Sequence, residues 1–172
     1  MNPAPQSLEP VQIRESSVSG VELYRLPLFK DHRGNLTVAE LGTVLPFVPL
    51  RYFITYAVPG QNIRGEHAHR ECSQFLTCVN GSCRVRVDNG TDSDEFLLDD
   101  PTLGVLVPPM VWAAEFEHSA ESVLLVLASH RYDPDDYLRD YPTFVSLAAE
   151  LRRRPRVSGT AKKTAHPSSI PA

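Results

Sequence analysis

An Asn-Gly step between two alternating runs constrains this chain more than any other feature. Residues 74–80 read Gln-Phe-Leu-Thr-Cys-Val-Asn, residues 82–87 read Ser-Cys-Arg-Val-Arg-Val, and Gly81 separates them. Asn-Gly suits the left-handed conformations of a tight turn, so the pattern predicts a two-residue β-hairpin. Period two then divides the side chains. Gln74, Leu76, Cys78, Cys83, Val85 and Val87 form one mostly apolar, inward face; Phe75, Thr77, Val79, Ser82, Arg84 and Arg86 form a more polar one. Gln74 is thereby an amide among apolar neighbours, and a buried amide needs a partner. Cys78 is expected opposite Cys83, as two small buried residues.

Upstream of the turn, residues 64–69 read Arg-Gly-Glu-His-Ala-His. In an extended strand residues i and i+2 share a face, so His67 and His69 look into one space. An imidazole titrates near pH 6.5 and serves as base or acid at neutral pH. A pair in one cavity can divide these roles, with coupled titration. The reaction that suits adjacent proton carriers is abstraction α to a carbonyl, with redelivery at a neighbouring atom.

The rest of the chain reads as short strands separated by turns. Val21–Leu28, Leu36–Glu40, Arg51–Val58, Glu95–Leu98, Thr102–Val107 and Ser122–Ala128 carry strand patterns, which suggests a sandwich or barrel. Asp133-Pro134-Asp135-Asp136 is a helix start, and Pro142 divides the region from there to about Arg152 into two short helices. Residues 1–20 are expected to be a flexible arm, 21–151 the folded domain, and 152–172 a disordered basic tail. The net charge of −4 combines that tail, with six basic residues and no acid, with an acidic body. An acidic body argues against a nucleic-acid-binding fold. The absence of an apolar run of about 18 residues and of a leader pattern argues for a cytoplasmic protein without membrane contact. Three cysteines without a CxxC pair argue against a disulfide framework.

His67-Ala-His69, Gln74 five positions on and Gly81 seven beyond that resemble the first motif of the cupin barrel. In metal-holding cupins, two histidines and a glutamate of this motif join a third histidine from a second motif. Here Gln74 replaces the carboxylate, and the second motif, beginning at Gly104, runs through Val111-Trp112-Ala113-Ala114 without a histidine. Two imidazoles and a neutral amide are a poor set for a divalent ion, so no metal is expected.

Further signatures resemble the sugar 3,4-ketoisomerases over about Leu26 to Tyr141. They are Asp31-His-Arg-Gly34-Asn-Leu, Pro46-Phe47 with Arg51, Arg64-Gly-Glu-His-Ala-His69, the run from Gln74 to Cys83, Val111-Trp112, and Leu127-Ala-Ser-His-Arg-Tyr-Asp-Pro-Asp-Asp-Tyr137. The resemblance implies an all-β jelly-roll barrel with one or two short C-terminal helices, usually dimeric and often exchanging N-terminal strands. It implies isomerisation of dTDP-4-oxo-6-deoxy-glucose to a dTDP-3-oxo-6-deoxy hexose through an enediol, on the way to an amino sugar, with no cofactor. His67 and His69 become the catalytic pair. Arg33, Arg51 and Arg64 become candidates for the diphosphate and the enediolate. Gln74 orients a histidine or a sugar hydroxyl, Trp112 forms a pocket wall, and Tyr52 or Tyr56 relays a proton. Relatives often carry a histidine where Ala113 stands and a tyrosine near Phe53 and Ile54, which leaves the product's C4 configuration and the hydroxyl proton relay unassigned. The alternatives from other classes are a non-catalytic sugar-nucleotide-binding barrel and a metal-dependent enzyme of the same fold. A 3,5-epimerase is a further alternative.

Overall fold

A computed structural model describes residues 10–40 and 45–153. The strands are β1 (Val11–Glu15), β2 (Glu22–Arg25), β3 (Leu28–Asp31), β4 (Gly34–Thr37), β5 (Arg51–Tyr56), β6 (Arg64–His69), β7 (Gln74–Asn80), β8 (Cys83–Asp88), β9 (Ser93–Leu98), β10 (Leu103–Val107), β11 (Trp112–Phe116), β12 (Val123–Ala128) and β13 (Tyr137–Leu138). A 3-10 turn spans Pro134–Asp136, and helix α1 spans Tyr141–Arg153. One sheet runs β1-β2-β10-β7-β12-β5, a second runs β13-β6-β11-β8-β9, and β3 and β4 form a separate ribbon. This is the expected all-β jelly roll.

The two large sheets face each other over one core. Leu76 and Cys78 of β7 and Leu124 and Val126 of β12 come from the first sheet; Cys83, Val85 and Val87 of β8 and Phe96 and Leu98 of β9 come from the second. The expected hairpin is therefore absent. β7 pairs with β10 and β12, whereas β8 pairs with β11 and β9. The inward residues are those that alternation predicts, but they bury one another across the barrel rather than along one sheet. Gly81, at φ 65°, makes the corner between sheets. The corner is held by Ser119, whose hydroxyl accepts from the Ser82 N–H at 3.0 Å and whose own N–H donates to the Ser82 carbonyl at 2.9 Å. A Cβ at position 81 would lie 2.9 Å from backbone atoms of Ser122, so space as well as φ demands glycine there.

Other differences have simple causes. The face carrying Phe75 and Thr77 is buried rather than polar, because Leu26, Leu45 and Phe47 cover it. Val11–Glu15 lies in the stretch read as a flexible arm, yet pairs with β2 at the edge of the first sheet. The stretch Val21–Leu28 is broken after Arg25, where Pro27 interrupts it between β2 and β3. The expected tail lies, from residue 154 on, outside the described residues.

The helix start at Asp133 is realised as a 3-10 turn, and Pro142 falls in the first turn of α1. The Asp133 carboxylate accepts from the Asp135 N–H at 3.0 Å, and the Asp140 carboxylate accepts from the Thr143 N–H at 2.9 Å at the start of α1. Phe144 and Ala148 of α1 bury against Ala68 and Leu138. That contact presses β13 onto β6, where Tyr137 pairs with His69 and Leu138 with Ala68.

Candidate active site

The site is built where β6 carries the two histidines between β11 and β13. Opposite β11, the register slips by one residue: Ala113 pairs with His67 and Ala114 with Gly65, leaving Glu66 unpaired. Gly65 and Glu66 both have positive φ, 77° and 53°. Such a bulge twists a strand and re-aims its side chains. Gly65 also permits close approach, because a Cβ there would meet the Ala113 carbonyl at 2.9 Å and Glu115 Oε1 at 3.3 Å.

Past the bulge, His67 and His69 share a face, as their spacing demands. Their Nε2 atoms lie 3.2 Å apart and their rings stand edge to face. Gln74 has the partner its burial requires: its amide nitrogen lies 3.1 Å from His69 Nε2. On the far side, His69 Nδ1 lies 2.6 Å from Asp136 Oδ2, and Asp136 Oδ1 accepts from the Glu71 N–H at 2.8 Å. Burial alone would raise the Asp136 carboxyl, but the hydrogen bonds from Glu71 and His69 outweigh it and hold it below its ordinary value. The carboxylate thus accepts from His69 Nδ1–H, leaving the one lone pair of His69 Nε2 to face the Gln74 amide and His67 Nε2.

Burial lowers both histidines. His67 lies below its ordinary 6.5, and His69 is brought to about 4 despite the opposing pull of Asp136. Arg51 adds a positive field at both rings. The pair is therefore neutral at neutral pH. Tyr137 closes one side, with its ring centroid 4.8 Å from that of His67 and 4.4 Å from that of His69.

The two imidazoles are not equivalent. His67 lines a cavity of about 390 Å³, together with Thr55, Arg64, Gln74, Glu115 and Arg139. His69 is only 5% exposed and sits behind it. A larger concavity of about 610 Å³ approaches from the other side of Asp136, past Arg70, Arg131 and Tyr132.

The remaining expected site residues divide. Arg64 lines the cavity. Arg51 lies beside it, its guanidinium over the rings of Phe53 and Tyr132 and its buried Nε without a partner among the described residues. Arg33 is exposed on the turn between β3 and β4, paired with Asp31 at 2.6 Å, and does not line the cavity. Trp112 is not a wall of this cavity: β11 turns Ala113 and Glu115 inward, so Trp112 packs on the other face against Tyr141 and Phe144. Tyr52 and Tyr56 point outward, each 69% exposed, because period two on β5 gives the inward positions to Phe53 and Thr55.

The sequence alone does not bring Asp136, Tyr137, Arg139 or Glu115 to the site. Asp136 reads there only as an acid at a helix start. Its signal is surplus, since Asp133 already caps that turn. Alternation in Trp112–Phe116 would point to Glu115, did the two alanines not disguise a strand.

Among the described residues, His69, Cys72 and Asp136 form the group that could hold a metal, their ligand atoms clustering within 4.8 Å. The 2.6 Å between His69 Nδ1 and Asp136 Oδ2 suits a shared proton. Two donors at about 2 Å from one tetrahedral ion would stand about 3.3 Å apart, so this pair as placed does not fit one.

Known proteins share this architecture. Residues 19–149 match the family model described as FdtA: WxcM-like, C-terminal. A TDP-4-oxo-6-deoxy-alpha-D-glucose-3,4-oxoisomerase of Aneurinibacillus thermoaerophilus is 40% identical over 121 residues, 70% of this chain and 87% of that one. A histidine-to-asparagine variant of the 3,4-ketoisomerase QdtA from Thermoanaerobacterium thermosaccharolyticum, solved with TDP-4-keto-6-deoxyglucose, superposes with TM-score 0.75 at 32% identity, covering 77% of this chain and 96% of that one. A 3,4-ketoisomerase from Helicobacter canadensis gives TM-score 0.73 at 29% identity, covering 76% and 98%.

Proposed function

Because the chain belongs to the FdtA-like family of WxcM C-terminal domains, we propose that it isomerises a TDP-linked 4-oxo-6-deoxyhexose to the 3-oxo sugar through its histidine pair. The observation that carries the mechanism is the line Asp136–His69–His67, with neighbouring polar atoms within hydrogen-bond distance, ending in the cavity. Neutral His67 takes the proton from sugar C3 on Nε2, its Nδ1 being sealed from the cavity, and the electrons of that bond form the C3–C4 double bond of the enediol. His69 Nε2 lies in reach of the protonated ring, and Asp136 steadies the positive charge that appears. The same proton, or one exchanged with solvent, returns at C4. Arg64 and Arg139 face the cavity and offer charge to the diphosphate and to the oxygen on which negative charge develops. A charged diphosphate substrate does not cross a bilayer unaided, which agrees with a cytoplasmic site. Among the described residues, no helix is long and apolar enough to span a membrane.

The test is conversion of TDP-4-oxo-6-deoxyglucose, with the product identified by NMR. A 3-oxo product is expected. Tight binding without conversion would favour the non-catalytic barrel.

The second copy of the expected homodimer is assigned to β5. This edge strand exposes Tyr52, Ile54 and Tyr56, and Leu50 and Ile63 lie exposed nearby in sequence. An apolar open edge is a pairing surface that proteins cover. Sedimentation equilibrium is expected to give twice the chain mass, and replacing Ile54 by Lys to shift it toward the monomer. A monomer in the parent protein would contradict the assignment.

A further inference from the structure

The cavity holds one carboxyl, for which the histidine mechanism has no use. Glu115 projects inward from β11 and is 7% exposed, yet it lines the same cavity as His67. It pairs with Arg64 across β6 and with Val85 across β8. Its carboxyl has no hydrogen-bond partner among the described residues; its environment is burial and the charge of Arg64. Its oxygens are not among the polar atoms sealed away without a partner, so they open into the cavity, where a bound molecule rather than the fold completes their hydrogen bonds.

Isomerisation also has a second requirement. Moving the carbonyl from C4 to C3 transfers a proton between carbons and another from the C3 hydroxyl oxygen to the C4 oxygen. The histidines account for the first transfer only. We propose that Glu115 is the catalytic residue that carries the hydroxyl proton from O3 to O4 of the bound hexose. This rests on the isomerase reading above.

The step balances within the site. As His67 removes the C3 proton, the C4 carbonyl oxygen gains the electron pair and takes a proton from the neutral Glu115 carboxyl. The carboxylate so formed accepts the O3 proton as C3 becomes a carbonyl and C4 is reprotonated. One carboxyl oxygen donates while the other accepts, and the group returns to its starting form. Neighbouring hydroxyls on a ring lie close enough for a single carboxyl to span both. Burial supports the role by raising the group to about 7, against the weaker opposing pull of Arg64, so both of its forms are accessible near neutrality. The groups that face it are Arg64 from β6, the Cys83 thiol from β8, and buried His118 after β11, with His67, Tyr137 and Arg139 around the cavity.

Glu115→Gln keeps the shape and removes the relay. The parent and the variant are assayed side by side across about pH 5.5 to 8.5. The expected result is a loss in kcat of about 100-fold, with KM changed by less than about threefold and the ionisation near neutrality gone from the pH profile. A variant with kcat within about threefold of the parent, or with its loss confined to KM, would overturn the proposal. A parent without turnover would sink the isomerase reading itself; an active parent with an equally active variant would sink only the relay. Infrared difference spectra of the parent supply a readout that does not depend on the variant folding. Adding the 4-oxo sugar nucleotide, but not TDP, is expected to change a carboxylic acid band, and an unchanged band would overturn the assignment.

Discussion

Replacing His67 with asparagine is expected to lower kcat by about 10²- to 10⁴-fold, the range that a positioned general base supplies. Asparagine can keep a hydrogen bond toward His69, but it has no lone pair basic enough to take a carbon-bound proton. The fold should survive, because His67 is only half-buried and stands at the cavity wall rather than in the apolar core. Calorimetric affinity for TDP is expected to change little, which separates loss of chemistry from loss of binding. The sign of the parent's pH dependence follows from its environment. Burial favours the neutral ring and places His67 below 6.5, so the base stays available as pH falls through 6.5 and is lost only at lower pH. An acid limb above 6.5 would contradict that assignment. Because the rings lie 3.2 Å apart, the limb reports the pair rather than one residue.

Asp136→Asn is expected to cost about 10²- to 10³-fold in kcat without a change at any substrate-facing atom. The asparagine carbonyl can still accept from the Glu71 N–H, so the loop stays in place. Its amide then points one N–H at His69 Nδ1, which must become an acceptor, and the proton moves to Nε2. The chain of donors reverses: His69 Nε2 can no longer receive from Gln74, 3.1 Å away, or from His67 once that ring is protonated. NMR of the imidazole nitrogens should show the exchanged tautomer, a change that a merely structural acid would not produce. KM is expected to stay within about threefold. Acid stability moves too. The parent's Asp136 carboxyl is held below its ordinary 3.8, so the stability it contributes is present above that value and is lost as pH falls through its lowered native value. Both histidines are held below 6.5, so their contribution is likewise lost as pH falls below 6.5. The asparagine variant should lack the first of these losses and keep the second.

The histidine face is legible in the sequence because period two is local: once β6 is extended, residues 67 and 69 must look the same way. Gln74 is legible as a buried amide for the same reason. Which strand lies beside which is not local. Asn80-Gly81 has every mark of a hairpin, yet the chain steps from one sheet to the other there. The apolar residues of β7 and β8 gain more by facing each other across a barrel than by lying abreast. The parts of the site that come from far along the chain are hidden by the same limit. Asp136 and Tyr137 reach His69 only because β13 pairs with β6, held there by Phe144 of α1. Trp112 shows the converse. A tryptophan near a motif suggests a pocket wall, but one-residue alternation along β11 hands the inward place to Glu115.

The proposed mechanism makes turnover depend on removal of the C3 proton by His67. Parent and His67→Asn enzymes, incubated with TDP-4-oxo-6-deoxyglucose in deuterium oxide, test it directly by NMR. The 3-oxo product is expected with the parent, carrying deuterium at C4 in the fraction of turnovers in which the His67 proton exchanges with solvent, and neither product nor label is expected with the variant. Label entering equally fast with His67→Asn would contradict it.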